Sequence, residues 1–376
     1  MKKIGKQVAF LPTDAKNSRN GEGSFIRLLD GRIMYAYTEY YGGSWKDHAT
    51  ARISAIYSSD EGETWTAPSV LIEKDDTQQN IMSVSLVRLS DGKLGILYLA
   101  KFDLGNAHSC CMPYFRYSDN DGKTFGECIP LVEESGYYII NNDRICVTKG
   151  GRLLVPCAHS GKSINTEISI LEAATIRIFY SDDNGRSWGT LPGTLYFKYS
   201  DGIGLQEPGI LELDDGTLWV YCRTPYGYQY QAFSHDGGNT FSAIAPNFYF
   251  TSPDSPMLVK QLSRGTVAVF NPYGYNCTYE RYEDWGAPRR TPYVCAVTSG
   301  DGSAFDSTGK SSVRHEYKKF TKCCYYIEDD VNESYCYPAI IETKDGFLVA
   351  YYHSDGTGIC LRSGKITKVL FDEIDL

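Results

Sequence analysis

The 376-residue sequence predicts an all-β protein, a six-bladed β-propeller of four-stranded antiparallel blades that takes up residues 1–376 as a single domain. Three observations support this prediction: a short phrase that returns four times, a hairpin pattern that recurs six times out of phase with it, and a composition that favours strands. Self-similarity of this length indicates a repeat architecture, because each repeat needs its neighbours to bury its apolar face.

The first repeat has the form Ser-x-Asp/Asn-x-Gly-x-Thr/Ser-aromatic. Its copies are YSSDEGETW (57–65), YSDNDGKTF (117–125), YSDDNGRSW (180–188) and FSHDGGNTF (233–241). The Asp or Asn side chain accepts hydrogen bonds from amides ahead of it and the Gly accepts positive φ, so each copy predicts a tight turn. The final aromatic residue is expected to anchor the turn between packed strands. A fifth, degenerate copy runs from Thr298 to Phe305, with Gly300 in place of the Asp.

The second repeat is an apolar run, a turn ending in Gly and another apolar run, as in FIRLLDGRIMYAY, which is a β-hairpin signal. The turn glycines are Gly31, Gly92, Gly151, Gly216, Gly265 and Gly346. Together the two repeats define strands A, B, C and D, with the glycine turn between A and B and the Asp turn between C and D. Such units are propeller blades. Blade 6 is expected to close the ring with the N-terminal strand near Lys6–Leu11. A solenoid is the alternative, but neither end resembles a polar cap.

Composition narrows the class of protein. The 30 Tyr and 16 Phe favour strands, and the formal net charge of −9 argues against nucleic-acid binding. No apolar run reaches membrane-spanning length, and the first twelve residues lack the apolar core of a secretory signal. The protein is therefore expected to be cytoplasmic, or extracellular if a leader has been trimmed. The 12 Cys form no CxxC pair, so free buried thiols are predicted and no metal site is indicated.

The predicted topology puts both turns of every blade on one face of the disc. The starts of the innermost A strands then line the central cavity at the opposite face, where a ligand site is expected. Nine residues before each turn glycine stand Glu22, Ser83, Asn142, Glu207, Pro256 and Tyr337. These positions converge on the axis, so polar groups there are interpreted as ligand contacts rather than as solvated strand starts.

The B–C connections add charged candidates. Blade 1 carries Asp47 and His48, blade 4 ends strand B with Arg223, and blade 5 opens strand C with Arg289 and Arg290. Guanidinium groups aimed at a cavity suit bidentate capture of a carboxylate or phosphate, and the lack of a Gly-rich phosphate loop favours carboxylate. Three further histidines follow strand B in other blades and are interpreted as loop residues or hydrogen-bonding partners: His108, His159 and His353.

With these motifs in place, the chain resembles the sialidase (neuraminidase) superfamily of Asp-box, or BNR-repeat, proteins, and within it a divergent sialidase-like branch. The segment LQEPGILELDDGTLWVYCRT is similar to the family's A and B strands with their Glu and Arg. The resemblance implies that Tyr337 is a nucleophile, Glu207 its general base and Asp47 an acid/base. It also implies that Arg223 and Arg290 hold a substrate carboxylate.

Blade 1 departs from the family pattern. Family members carry an Arg-Ile-Pro motif there, whose Arg completes a three-arginine clamp. In this chain the corresponding segment is SRNGEGSFIRLLDG, the expected slot falls at Gly21, and the nearest candidate is Arg19. Arg27 lies inside strand A, too close to the A–B turn to take the place of that Arg. The presence of Glu22 suggests that the substrate carries a different pattern of hydroxyl groups from the sialic acid that family members bind. Further candidate substrate-binding residues are Asn142, Asp143 and His48.

The resemblance implies a retaining exo-glycosidase that removes terminal sialic acid or a related acidic sugar from glycans and requires no cofactor. Two alternatives stay open. One is another glycoside hydrolase, or a polysaccharide lyase acting on uronic-acid-containing glycans with Tyr337 and a His as acid and base. The other is a non-catalytic carbohydrate-binding propeller. The expected partner is a glycan or small acidic sugar, with no nucleic acid and no membrane span, and the oligomeric state is left open.

Overall fold

The structure is a computed structural model that describes residues 1–165, 174–197, 204–272, 289–306, 323–354 and 361–375. Within these ranges the chain is built from antiparallel strands, with two one-turn 3-10 helices at Ser303–Phe305 and Phe371–Glu373. The first strand along the chain is β1 (Lys6–Leu11).

The strands form six sheets, one to a blade. Blade 1 contains β2 (Asn17–Arg27), β3 (Ile33–Tyr41), β4 (Ala51–Ser58) and β5 (Ser69–Ile72). Blade 2 contains β6 (Asn80–Arg88), β7 (Leu94–Gly105), β8 (His108–Ser118) and β9 (Ile129–Pro130). Blade 3 contains β10 (Tyr138–Ile139), β11 (Cys146–Val147), β12 (Leu153–His159), β14 (Thr175–Ser181) and β15 (Gly189–Thr190), and β13 (Ile164–Asn165) pairs with β8 of blade 2.

The second half of the chain follows the same plan. Blade 4 contains β16 (Gln206–Glu212), β17 (Leu218–Arg223), β18 (Tyr228–Ser234) and β19 (Ala245–Thr251). Blade 5 contains β20 (Leu258–Leu262), β21 (Gly265–Phe270), β22 (Tyr293–Thr298) and β23 (Cys324–Glu328). Blade 6 contains β24 (Tyr335–Glu342), β25 (Gly346–His353) and β26 (Ser363–Leu370), with β1 as its fourth strand. The predicted all-β, six-bladed propeller is thereby confirmed.

The ring is closed by the two ends of the chain. Strand β1 pairs antiparallel with β26, with Phe10 opposite Lys365 and Leu11 opposite Gly364. The first and last blades also share a core, in which Phe25 and Tyr35 of blade 1 pack with Leu348 of blade 6. The predicted closure at Lys6–Leu11 is confirmed, and the solenoid alternative is wrong.

The hydrophobic core lies between the blades. Six clusters of buried apolar side chains each combine residues from two neighbouring blades. Between blades 5 and 6, for example, Val269 packs in one cluster with Ile340 and Phe347. Each blade therefore buries both faces against its neighbours, which is why a single unit cannot fold alone.

The predicted Asp turns form one recurring hydrogen-bond network. In the first copy the Asp60 carboxylate accepts the Thr64 amide at 2.9 Å, and the Ser58 hydroxyl accepts the Gly62 amide at 2.8 Å. The Trp65 indole donates back to the Gly62 carbonyl at 3.0 Å. The Asp/Asn and Ser bonds recur in the other three copies at the same distances. The phrase therefore builds the fold by closing the C–D hairpins.

The residue after each Asp or Asn links neighbouring blades. Glu61, Asp121 and Asn184 adopt left-handed φ values of 57–61°. Asp121 accepts the amide of Leu29 at 2.7 Å, and Asn184 accepts the hydroxyl of Ser90 at 2.9 Å, both from the A–B turn of the preceding blade. These contacts confirm that the two kinds of turn share one face of the disc.

The glycine-turn prediction needs correction in two blades. Four of the six glycines lie in the turn with φ of 83–90°, but Gly265 and Gly346 are the first residues of β21 and β25. A Cβ on Gly346 would stand 1.9 Å from the Val369 carbonyl oxygen, so this glycine is required by close backbone approach rather than by a turn. The degenerate fifth Asp turn ends in a 3-10 helix, and its Phe305 is still a buried anchor.

Ten cysteines fall in the part of the chain that the structure describes, and all ten are free thiols, as predicted. Seven of them are buried, whereas Cys146 and Cys323 are half-buried and Cys128 is exposed, so the prediction of buried thiols holds only in part. The remaining two, Cys277 and Cys360, lie outside the described residues. None of the described helices has the length and apolar character needed to cross a membrane.

Candidate active site

A β-bulge at the mouth of strand A brings the candidate side chains toward the axis. The ladder register shifts between Gly21 and Ser24 in blade 1, and equivalent shifts occur in blades 2, 4 and 6. The residue inside each bulge is left-handed although it is not glycine: Glu22 (φ 53°), Ser83 (58°), Glu207 (43°) and Tyr337 (60°). Bulges re-aim side chains, and left-handed non-glycine residues tend to cluster at functional sites.

The first half of the site is built around Tyr337. Its hydroxyl donates to Glu207 at 2.8 Å, and Arg223 donates to the other oxygen of the same carboxylate at 2.9 Å. Arg223 also donates from Nε to Asp254 at 2.7 Å. Glu207 is thus held between a phenol and a guanidinium, with Asp254 as the second carboxylate of the group.

Arg290 completes this half. Its guanidinium lies 5.8 Å from the centre of the Tyr337 ring and donates to the Asp254 carbonyl at 3.1 Å. It also reaches the Cys336 sulfur at 3.4 Å. Two arginines therefore lie beside one tyrosine. The other sequence candidate, Arg289, donates to the Val331 carbonyl at 3.1 Å.

The second half of the site is built around Arg19, whose side chain is 9% exposed. Its guanidinium donates to Glu22 at 2.7 Å and to the Tyr352 hydroxyl at 2.8 Å, and it forms an ion pair with Asp47. It lies over the rings of Tyr352 and Tyr40, each at 4.9 Å. Arg19 thus reaches the axial cluster from two residues before the expected slot.

Aromatic contact joins the two halves. The rings of Tyr337 and Tyr352 meet edge to face, with centroids 5.7 Å apart. Since Tyr352 is bonded to Arg19 and Tyr337 to Glu207, the site is one continuous cluster that spans blades 1, 4, 5 and 6.

Burial controls the ionisation of these groups. Burial and then the charge of Glu207 raise the pKa of Tyr337 well above its usual value, while Arg290 and Arg223 oppose the shift. Burial also raises the pKa of Glu22, and Arg19 offsets this only in part. The phenol of Tyr337 is therefore neutral in the free protein, and it already donates a hydrogen bond to the carboxylate of Glu207.

Asp47 behaves in the opposite way. Its side chain is 64% exposed at the rim of the site. Partial removal from water favours the protonated form, but the charges of Arg19 and Lys101 outweigh it and lower the pKa of Asp47 well below its usual value. In the free protein Asp47 is an anion.

The histidines occupy separate environments. Burial and then Lys101 lower the pKa of His48 to about 4, so this ring is neutral. His159 stacks on Tyr138, and His353 stacks on Tyr335. His108 contacts the Asn106 carbonyl at 2.9 Å on an exposed hairpin. Among the described residues, no histidine is hydrogen-bonded to Tyr337.

Asn142 and Asp143 lie deeper on the axis. Asn142 is fully buried and donates to the carbonyls of Gly23 at 2.8 Å and Pro338 at 3.1 Å. In blade 3 the left-handed residue is Asp143 (φ 54°), one position later than the nine-residue spacing predicts. Asp143 accepts hydrogen bonds from the Ile340 amide at 3.0 Å and from Lys260. Their contacts are with other blades, so in this structure both residues tie the A strands together.

Sequence reasoning missed Asp254 and Tyr352. The nine-residue spacing selects Pro256 in blade 5, but the left-handed residue ahead of that strand is Asp254 (φ 58°). Asp254, two residues earlier, is the group that reaches Arg223. The only sequence signal for Tyr352 was its place next to the end of strand B.

Comparison with known proteins agrees with this architecture. Residues 31–350 match the BNR repeat-like domain family, and the chain belongs to that family of the sialidase superfamily. A sialidase from Clostridium perfringens is 26% identical over 242 residues, which cover 59% of this chain and 60% of that protein. The matched region thus spans about 60% of the relative's length.

Solved structures share the fold over almost the whole chain. The intramolecular trans-sialidase of Ruminococcus gnavus superposes with a TM-score of 0.69 at 15% identity, covering 98% of both chains. A protein of unknown function from Dyadobacter fermentans gives a TM-score of 0.69 at 18% identity, covering 97% of this chain and 99% of its own. At these identities the similarity concerns the fold alone.

Proposed function

We propose that this protein is a retaining exo-glycosidase acting on terminal sialic acid or a related acidic sugar. The observation that supports this most directly is the 2.8 Å hydrogen bond from the Tyr337 hydroxyl to Glu207, with Arg223 and Arg290 beside it. A buried phenol bonded to a carboxylate is an activated nucleophile of the kind that sialidases use in place of a second carboxylate.

Electrostatics explains why a tyrosine suits such a substrate. A 2-keto acid sugar carries a carboxylate on the carbon that reacts, and an anionic nucleophile would be repelled by it. The Tyr337 phenol is neutral at rest because burial raises its pKa. It loses its proton to Glu207 only as its oxygen attacks. Arg223 and Arg290 supply the guanidinium groups that suit bidentate binding of the carboxylate.

The reaction proceeds in two balanced steps. First, the Tyr337 oxygen bonds to the anomeric carbon and its proton moves to Glu207, while Asp47 gives a proton to the departing glycosidic oxygen. Second, water attacks the glycosyl–tyrosine, Asp47 takes a proton from that water, and the proton on Glu207 returns to Tyr337. The anomeric configuration is retained because two displacements occur.

The ionisation of Asp47 makes substrate binding part of this mechanism. The ion pair with Arg19 keeps Asp47 deprotonated in the free protein, whereas a general acid must hold a proton. A substrate carboxylate that engages Arg19 would cancel the charge that lowers the pKa of Asp47. Binding of an acidic sugar would thereby raise the pKa of Asp47 and prepare it to donate.

The test is a screen of aryl sialosides and aryl uronosides with the wild-type protein, Tyr337→Phe and Tyr335→Phe. We expect wild type to cleave a sialoside and Tyr337→Phe to lose at least about a thousandfold in kcat/KM, because its nucleophile is gone. Tyr335 lies two residues away on the same strand, so Tyr335→Phe controls for the loss of a buried hydroxyl and should stay within a few-fold of wild type.

Product analysis separates the alternatives. A hydrolase releases a saturated sugar, whereas a lyase releases an unsaturated uronic acid that absorbs in the ultraviolet. Turnover of a uronoside but no sialoside, or a Tyr337→Phe variant with near-normal rate, would overturn the proposal. Saturable glycan binding without any turnover would instead indicate a carbohydrate-binding propeller.

A further inference from the structure

Two residues of the proposed active site lie on segments that are not strands. Asp47 belongs to the connection between β3 and β4, and Arg290 lies just before β22. Outside a strand there is no sheet ladder to hold the backbone, so its polar groups need other partners. In both segments the partner is the side-chain amide of a buried asparagine.

Asn80, the first residue of β6, holds the segment of Asp47. It is fully buried, and its Nδ2 donates to the carbonyls of Asp47 at 2.9 Å and Ala49 at 2.8 Å. Lys101, which faces Asn80 across the β6–β7 ladder, donates from Nζ to the same Asp47 carbonyl at 2.9 Å. A carbonyl oxygen has two lone pairs, so the backbone oxygen of Asp47 is saturated by these two donors from blade 2.

Asn271, directly after β21, holds the segment of Arg290 in the same way. It is buried, and its Nδ2 donates to the carbonyls of Arg290 at 2.8 Å and Pro292 at 3.1 Å. The Arg290 carbonyl also accepts the Tyr335 amide at 2.9 Å. In both segments one amide group therefore bridges two carbonyls that are two residues apart. The first of the two belongs to the residue whose side chain enters the proposed site, and it has a second donor.

A buried amide fixes such a segment firmly, because the surrounding core immobilises the side chain that carries it. The Asp47 side chain is 64% exposed, yet the Asn80 amide that holds its carbonyl is closed off from water. Without the amide, the carbonyl of Ala49 would lose this donor, and regaining one from water requires the segment to move. A displacement of roughly 1 Å in a reacting group can lower a rate about a hundredfold.

We propose that Asn80 and Asn271 are positioning residues: Asn80 holds the acid/base Asp47 in place, and Asn271 does the same for the carboxylate-binding Arg290. This inference rests on the proposed function, which gives those two side chains their roles. Since Asp47 acts in the chemical steps and Arg290 in binding, the two asparagines affect different constants. A structural role alone would give the same pattern for both.

The experiment compares Asn80→Ala and Asn271→Ala with the control Asn247→Ala, which removes an equally buried amide that donates to the Phe305 carbonyl at 2.9 Å. Asn80→Ala should lower kcat for sialyl-lactose about tenfold or more, and slow the first step with an acidic aryl sialoside much less. Asn271→Ala should raise the dissociation constant of free sialic acid about tenfold, measured by calorimetry, with kcat within a few-fold of wild type. The control should change neither constant by more than a few-fold.

Equal effects of Asn80→Ala and Asn271→Ala on kcat and on binding would overturn the proposal. Azide gives a further check, because it attacks the glycosyl–tyrosine without a general base and should restore the second step in Asn80→Ala but not alter Asn271→Ala. If an alanine variant shows no cooperative thermal transition, the serine variant at the same position, which keeps one donor, takes its place.

Hydrogen exchange measured by mass spectrometry tests the two contacts without any turnover. Asn80→Ala should speed amide exchange about tenfold in a peptide covering residues 44–50, and Asn271→Ala in one covering residues 289–293, each leaving the other segment unchanged. Exchange as slow as in wild type would refute the inference even if wild type cleaves sialosides. Faster local exchange in a protein whose wild type cleaves no sialoside would support the two contacts and count against the proposed function instead.

Discussion

At the scale of single residues, the site depends on side chains that a regular strand would not bring together. Glu207 and Tyr337 both have positive φ, which costs a non-glycine residue free energy that the surrounding sheet must offset. In return, a residue from blade 4 and a residue from blade 6 come within hydrogen-bonding distance at the axis. Part of the strain in this fold therefore lies where the proposed chemistry takes place.

The role of Asp47 can be tested through the leaving group. Asp47→Asn should slow cleavage of sialyl-lactose by about 10²–10⁴-fold, because a sugar hydroxylate leaves poorly without a proton. Cleavage of an aryl sialoside whose phenol is acidic should be slowed much less in the first step, the formation of the glycosyl–tyrosine. Burst kinetics can isolate the rate of that step. Asp30→Asn, on the opposite face, is the control and should behave like wild type. Equal losses for both substrates would show that Asp47 does not protonate the leaving group.

At the scale of the element, the Asp turn is a unit whose chemistry is local and whose effect extends to the next blade. Asp60 accepts bonds from Thr64, and Glu61 in the same turn pairs with Arg27 at 2.8 Å. Arg27 thus connects the A strand of blade 1 to this turn. Glu61 also accepts the backbone amide of Lys344 in blade 6 at 3.3 Å, so one short segment closes its own hairpin and contacts the neighbouring blade.

Replacing Asp60 tests the turn. Asp60→Ala should lower the free energy of unfolding by about 1 kcal/mol through the loss of these hydrogen bonds, measured by denaturant titration at pH 7. Asp60→Asn should be nearly neutral, because Asn120 makes the same bond to Thr124 at 2.9 Å in blade 2.

Wild type and Asp60→Asn are also expected to differ in how their stability depends on pH. Hydrogen bonds from Thr64 lower the pKa of Asp60 to about 2, below its usual 3.8. The carboxylate therefore contributes stability that is present above pH 3.8 and is lost as the pH falls toward 2. Wild type should lose more stability than Asp60→Asn across this window. Parallel curves for the two proteins would show that the Asp60 charge makes no contribution.

At the scale of the whole molecule, stability depends on closing the ring. Blade 6 takes its outer strand from the start of the chain, and this segment contributes the buried side chains of Ile4 and Leu11. Asn20, next to Arg19, donates to the Pro12 carbonyl at 2.8 Å. The closing segment is therefore connected to the proposed active site as well as to the core.

Deletion of residues 1–12 should destabilise the protein by at least about 3 kcal/mol, since two buried aliphatic side chains and a strand ladder are lost. It also exposes the edge of β26, so size-exclusion chromatography should show self-association. Calorimetry measures the shift in Tm, and a synthetic peptide of residues 1–12 added in trans should reverse part of it. An unchanged Tm would mean that the ring holds without β1.

The sequence by itself determined the blade count, the strand order and the location of the Asp turns. These features rest on local turn chemistry and on alternation of apolar residues, which a short segment specifies without its neighbours. It also selected Tyr337, Glu207, Arg223, Arg290 and Arg19, all of which the structure gathers at one end of the axis.

Only the tertiary structure decided which groups contact one another. Asp254 enters the site through its hydrogen bond from Arg223, and Tyr352 enters it through ring packing against Tyr337. Asp143, not Asn142, takes the left-handed position in blade 3. A one-residue difference in a bulge or hairpin changes which side chain faces the axis, because side chains alternate along a strand. Residue spacing along the chain does not reveal such a difference, whereas the packing of six blades around one axis determines it.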